Sequence, residues 1–110
     1  MINLINFNLK IAKSPIHGWG VFANEFIKAD TIILQNPGVV LKAKIYDSRE
    51  LMGYFYPYNE NFILGLGYVS LINSSDEPNV GFEVNIENKV IIIKTVRDVQ
   101  PNEEITFKYI

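Results

Sequence analysis

The sequence contains no cysteine and a single histidine, His17. The first absence excludes disulfides and thiolate metal sites, and one imidazole cannot build a histidine cluster, so no metal is expected. No apolar run approaches the ~20 residues of a membrane helix. Met1-Ile-Asn-Leu-Ile-Asn-Phe7 lacks the basic start and continuous apolar stretch of a signal peptide. The expectation is therefore no membrane contact, with the cytoplasm as default location. A basic excess is also missing: the net charge is −2. No positive field invites nucleic acid, while a basic peptide partner is tolerated. Linkers, repeats and low-complexity stretches are absent, so residues 1–110 read as one domain. Apolar residues form 48% of the chain, enough for one modest core and too many for a disordered segment.

What is present is mostly β pattern. Ile2, Leu4, Phe7, Leu9 and Ile11 approximate an alternating strand, broken at Ser14-Pro15 and His17-Gly18. Gly20 to Ala23 is a short strand. Thr31 to Leu34 and Val39 to Tyr46 read as two more, separated by an Asn36-Pro37-Gly38 turn. Asp47 or Ser48 can cap a short helix, weakened at Gly53 and stopped by Pro57. Phe62 to Ile72 carries Gly65 and Gly67, which suits closely packed backbone. Val80 to Glu87 and Lys89 to Val96 form the clearest hairpin, and the β-branched run Val90 to Ile93 predicts burial on both faces. Ile105 to Tyr109 is the closing strand after a Pro101-Asn102 turn. Many short strands with turn signals predict a compact, folded-over, mostly β architecture.

Four segments carry chemistry in a fixed order. They are Ser14-Pro-Ile-His-Gly-Trp-Gly-Val-Phe-Ala23, Phe26-Ile-Lys-Ala-Asp-Thr-Ile-Ile33, Leu66-Gly-Tyr-Val-Ser-Leu-Ile-Asn-Ser-Ser75 and Val96-Arg-Asp-Val-Gln-Pro-Asn-Glu-Glu-Ile-Thr-Phe-Lys-Tyr109. Gly18-Trp19-Gly20 is a weak signal alone, and Asn73-Ser-Ser-Asp-Glu-Pro-Asn79 a moderate one. The ordered set resembles SET domains, which methylate protein lysines from S-adenosylmethionine, and is most similar to the minimal viral and bacterial members without zinc-binding flanks. Three departures are visible. Ser74 stands where His is common, Ala29 and Asn102 where Gly is usual. Asn takes a left-handed turn cheaply, whereas Ala29 should cost about 1 kcal/mol if its φ is positive.

The resemblance implies a β-clip fold of several small sheets, a short helix and a C-terminal pseudoknot that brings Asn73 and Tyr109 together. It implies that Gly18, Trp19, Gly20, Asn73 and Ser74 hold S-adenosylmethionine. Asn73 would meet the methionine amino group, and Ser74 would act through its backbone beside the adenine. Tyr109 would orient the amine and methyl, and Tyr54 would line the lysine channel, with Tyr56 and Tyr58 as competitors for that place. Carbonyls around Ser70 to Ile72 would line the transfer pore. Read from the residues alone, His17 serves local turn geometry, and Glu103 and Glu104 begin a strand and face opposite sides, Glu103 solvated and Glu104 structural. Family members usually continue past the closing tyrosine with an aromatic wall and an adenine cover. The sequence ends one residue after Tyr109, so the expectations are closure by a homodimer partner, closure by a binding protein, or an open site with weak or lost activity. The implied partner is a protein or peptide lysine, with a host nucleus as alternative location for a viral protein. A catalytically silent SET-like module that binds a partner or cofactor is the alternative function.

Overall fold

The computed structural model describes residues 8–41, 55–59 and 61–108. The helix expected after Asp47 lies outside them, as do Tyr54 and Tyr109. Among the described residues nine strands form two sheets. β1 (Leu9–Lys13), β2 (Trp19–Ala23), β9 (Glu104–Phe107) and β6 (Asn73–Ser74) make the first, in that spatial order. The second runs β4 (Phe55–Tyr58), β5 (Asn61–Gly65), β3 (Ile32–Leu41), β8 (Val90–Thr95), β7 (Val80–Asn85). The only described helical segment is a 3-10 turn, Tyr68–Leu71, between β5 and β6.

Asn36-Pro37-Gly38 does not form the expected turn. It lies inside β3, a single ten-residue strand. Here the strand changes partner: Asn36 and Pro37 pair with Ile91 and Val90 of β8, and Gly38 with Gly65 of β5. The backbone stays satisfied through the change, because Gly38 N–H donates to the Lys89 carbonyl and Leu66 N–H donates to the Pro37 carbonyl, both at 2.8 Å. The turn-forming residues thus serve a strand that swaps neighbours, where proline's missing donor is least needed. Pro57 likewise stands within β4 rather than ending a helix; β4 is an edge strand, where proline is tolerated.

The bulge between Ile32 and Leu34 explains a second break in alternation. Strand geometry sends neighbouring side chains to opposite faces, yet Ile33 and Leu34 are both fully buried, because the extra residue is accommodated by the bulge. The β7–β8 hairpin is as read, with Phe82 opposite Ile93 and Val84 opposite Ile91 facing the core. Val90, Ile91 and Ile93 are buried but Ile92 is half-buried, so the second face of β8 is only partly covered, short of the burial on both faces that the sequence predicts. Val21, Ile27, Ile63, Val69, Val99 and Ile105 are also fully buried. Tyr56, Phe82 and Phe107 join the two sheets, with ring centroids 4.9–5.9 Å apart.

The closing strand produces the pseudoknot. β9 lies antiparallel to β2 (Val21 opposite Ile105) and parallel to β6 (Asn73 opposite Thr106, Ser74 opposite Phe107). The loop after β6 wraps it. Ser75 N–H donates to the Phe107 carbonyl at 2.8 Å and Asn79 N–H to the Thr106 carbonyl at 3.0 Å. The buried Asn79 side chain continues this ladder: Nδ2 donates to the Glu104 carbonyl at 2.7 Å, and Oδ1 accepts from Thr106 N–H at 2.8 Å. Its amide thus replaces a peptide group, so a short strand is paired along its length.

Candidate functional site

The knot gathers three of the four chemical segments. Ser14 to Gly18 turns back from β1 into β2, closed by Ser14 N–H to the Gly18 carbonyl at 2.8 Å. The Ser14 hydroxyl accepts from Ile16 N–H at 3.0 Å, which ties the turn from inside. Gly18 sits at φ 50, a left-handed conformation, and among the described residues beyond its chain neighbours no atom lies within 4 Å of where a Cβ would be. That open space beside bare backbone suits a ligand that must approach closely. Gly20 differs. A Cβ there would meet the Glu104 carboxylate and, at 3.0 Å, the Ser14 Cβ. The room made by Gly20 is therefore filled by the protein's own carboxylate.

Asn73 joins the turn to the knot. Its Nδ2 donates to Glu104 Oε2 at 2.9 Å, to the His17 carbonyl at 3.1 Å and to the Trp19 carbonyl at 3.2 Å. Glu104 also accepts the Ser14 hydroxyl, at 2.8 Å to each oxygen. Among the described residues no cation pairs with Glu104, so its partners are neutral donors. Trp19 is 56% exposed beside this cluster, with the Lys13 ammonium 5.9 Å from its ring centroid. Ser74 follows Asn73 on β6 and is exposed.

Behind Asn73 the 3-10 turn is held at Val69. The Tyr56 hydroxyl donates to the Val69 carbonyl at 2.6 Å, and Val69 N–H donates to Asn36 Oδ1 at 3.2 Å. Both tethering side chains are buried. Ser70 adds a hydroxyl bond to the Gly67 carbonyl at 2.9 Å. The carbonyls from Ser70 to Ile72 thus leave a turn anchored on its inner side. Among the described residues no group of three His, Cys, Asp or Glu could hold a metal ion, and no helix is long and apolar enough to cross a membrane.

This geometry, with its order of motifs, agrees with a family model: the SET domain matches residues 18–110. The chain belongs to the SET-domain family. Its SET domain is 35% identical over 120 residues to a Plasmodium falciparum protein named as a histone-lysine N-methyltransferase, covering 94% of this chain and 2% of that protein. A Yarrowia lipolytica histone-lysine N-methyltransferase named as H3 lysine-4 specific is 30% identical over 129 residues, covering 97% of this chain and 11% of its own. The chain thus spans a small fraction of these curated relatives. The fold is also that of a solved structure, a Plasmodium falciparum protein named as a histone methyltransferase. It superposes with a TM-score of 0.76 at 34% identity, covering 96% of this chain and 95% of that one.

Within this SET domain, Gly18, Trp19, Gly20, Asn73 and Ser74 lie around one turn and one strand. Tyr109 follows the described end of the knot, and Tyr54 precedes β4. Tyr56, weighed as an alternative to Tyr54, points inward to Val69 and packs on Phe82 and Phe107. His17 contributes its backbone carbonyl to Asn73, 56 residues away in the sequence. Two expectations change. The positive φ in the second segment falls on Asp30 (φ 62), not Ala29, so Ala29 carries no left-handed strain, while Asn102 (φ 70) does take the left-handed turn. Glu103 is not simply solvated. Burial alone would raise its pKa, but the Gln100 N–H, the Asn79 amide and the Arg97 guanidinium at 2.8 Å outweigh burial and hold its carboxyl below the ordinary 4.5.

Sequence reasoning missed the role of Ser14 and underrated Glu104. Ser14 reads as part of a Ser-Pro turn, and only the three-dimensional return of β9 shows its hydroxyl facing a carboxylate ninety residues away. The alternation of Glu103 and Glu104 did signal that the two face opposite sides. What it could not supply was a partner for either.

Proposed function

We propose that this SET domain transfers a methyl group from S-adenosylmethionine to the ε-amine of a protein lysine. The observation that carries the reading is the convergence of the open Gly18 turn and Asn73 on the knotted strand that leads into Tyr109. The residues present fit the methionine end of that cofactor. Gly18 offers unobstructed backbone, and Asn73 keeps Oδ1 as an acceptor once Nδ2 is engaged by the protein. When bound, the cofactor supplies an activated methyl on a sulfonium.

The chain's own residues do the rest. Asn73 accepts a hydrogen bond from the ammonium, Trp19 walls the site, and Ser74 acts through its backbone beside the adenine. The carbonyls of Ser70 to Ile72 accept weak C–H hydrogen bonds from the polarised methyl. Tyr54 lines a channel that desolvates the incoming lysine. A free lysine has a pKa of about 10.4, so a desolvating channel near a positive charge favours the neutral amine that can attack. The Tyr109 hydroxyl orients amine and methyl, and such alignment supplies several kcal/mol of the barrier.

The relative named as H3 lysine-4 specific makes histone H3 peptides the first substrates to test. Transfer of labelled methyl to such a peptide is expected. Tyr109→Phe should lower turnover by about 100-fold or more, by loss of an orienting hydroxyl at the reacting centre, while leaving cofactor affinity near normal. Near-normal turnover in Tyr109→Phe would remove that residue from the mechanism. Cofactor binding without transfer to any lysine would instead favour a silent binding module.

A further inference from the structure

We propose that Glu104 and Ser14 are positioning residues that fix which end of the Asn73 carboxamide faces the ligand, and thereby make the site select ligands that carry an ammonium. The proposal rests on Asn73 meeting the cofactor's amino group, as set out above. The carboxamide has one donor end and one acceptor end of nearly equal size, so its neighbours decide which way it points. Three oxygens surround Nδ2 in this protein: Glu104 Oε2 at 2.9 Å, the His17 carbonyl at 3.1 Å and the Trp19 carbonyl at 3.2 Å. All three require a donor. Turning the amide over would set Oδ1 against a carboxylate and two carbonyls, and would leave each of them short of a hydrogen bond. The charged acceptor makes the largest difference, because hydrogen bonds to ionised groups are the strong ones. Oδ1 is therefore held as the free acceptor.

Glu104 can do this only if it is itself held. The Ser14 hydroxyl donates to its carboxylate at 2.8 Å, and the same hydroxyl receives Ile16 N–H at 3.0 Å. Ser14 N–H closes the turn onto the Gly18 carbonyl. Gly20 leaves the space the carboxylate occupies. Carboxylate, hydroxyl, turn and amide are thus one network, whose two strands are separated by most of the chain. No cationic side chain among the described residues pairs with Glu104, so its carboxyl group favours a positive ligand group on the Asn73 side.

The test compares two ligands on the full chain by titration calorimetry: S-adenosylhomocysteine, which carries the ammonium, and 5′-methylthioadenosine, which lacks the whole amino-acid end. The wild type should bind the first at least roughly tenfold more tightly, the usual size of one charge-assisted hydrogen bond. In Glu104→Gln the charged acceptor is lost and the new amide can donate, so only the His17 and Trp19 carbonyls still favour Nδ2 on that side and the orientation preference weakens. The ratio should then fall to about threefold or less, with methylthioadenosine affinity unchanged within about twofold. Ser14→Ala should move the ratio the same way by a smaller amount. An unchanged ratio in Glu104→Gln overturns the proposal. So does an equal loss for both ligands, the signature of general structural damage. If Glu104→Gln fails to fold by circular dichroism, Ser14→Ala decides, and an unchanged ratio there overturns the proposal. A wild type that does not distinguish the two ligands sinks the reading of Asn73 itself, and this inference with it, a result separable from failure of Glu104 alone.

Discussion

Asn79 shows how much one buried amide can do in this protein. It is 1% exposed and bonds the Glu104 carbonyl, the Thr106 N–H and the Glu103 carboxylate. Asn79→Ala would strand a buried donor and acceptor on β9 and should cost about 3 kcal/mol, read from the shift in a urea unfolding curve. A cost under about 1 kcal/mol would mean that water replaces the amide. Tyr56→Phe removes one hydroxyl from the Val69 carbonyl and keeps the ring contacts, so about 1 kcal/mol is expected in the same measurement. Glu103 gives a pH signature. Its folded pKa is depressed, so its stabilising effect is present above the ordinary 4.5 and is lost as pH falls through the lower folded value. Glu103→Gln should flatten the acid limb of the stability profile there, and an unaltered limb would contradict the assigned partners.

At the scale of elements, the strands follow the hydrophobic pattern wherever hydrogen-bond partners are consecutive. The β7–β8 hairpin is legible because alternation, turn and register agree over adjacent segments. β3 is not, because Asn36-Pro37-Gly38 carries turn chemistry while the strand stays extended and exchanges β8 for β5. Nor is its bulge, since two consecutive apolar residues could equally mark a strand buried on both faces. The 86–89 turn contains one strained position, Lys89 at φ 54. Lys89→Gly should relieve that strain against a smaller entropic loss, for a net gain of roughly 0.5 kcal/mol in thermal or urea unfolding. A loss instead would mean that the Lys89 side chain makes compensating contacts.

At the scale of the molecule, the site depends on a long-range return that local pattern cannot reveal. Asn73, Gly18 and the closing strand were visible as motifs, but threading of this kind is rare, and it was resemblance that implied the pseudoknot. Composition gives enough apolar residues for one core and no cysteine to bind a metal, and both follow from simple counting. The pairing of Ser14 with Glu104, of Asn36 with Val69 and of Asn79 with Glu104 and Thr106 of β9 lies beyond any window of local sequence. These polar links secure the knot and shape the ground on which a cofactor would sit. The most direct test of that account is calorimetric titration of the full chain with S-adenosylhomocysteine, alongside Asn73→Ala shown by circular dichroism to be folded. The account predicts saturable binding by the wild type that is lost in the variant. No binding by the wild type, or equal affinity in both, would contradict it.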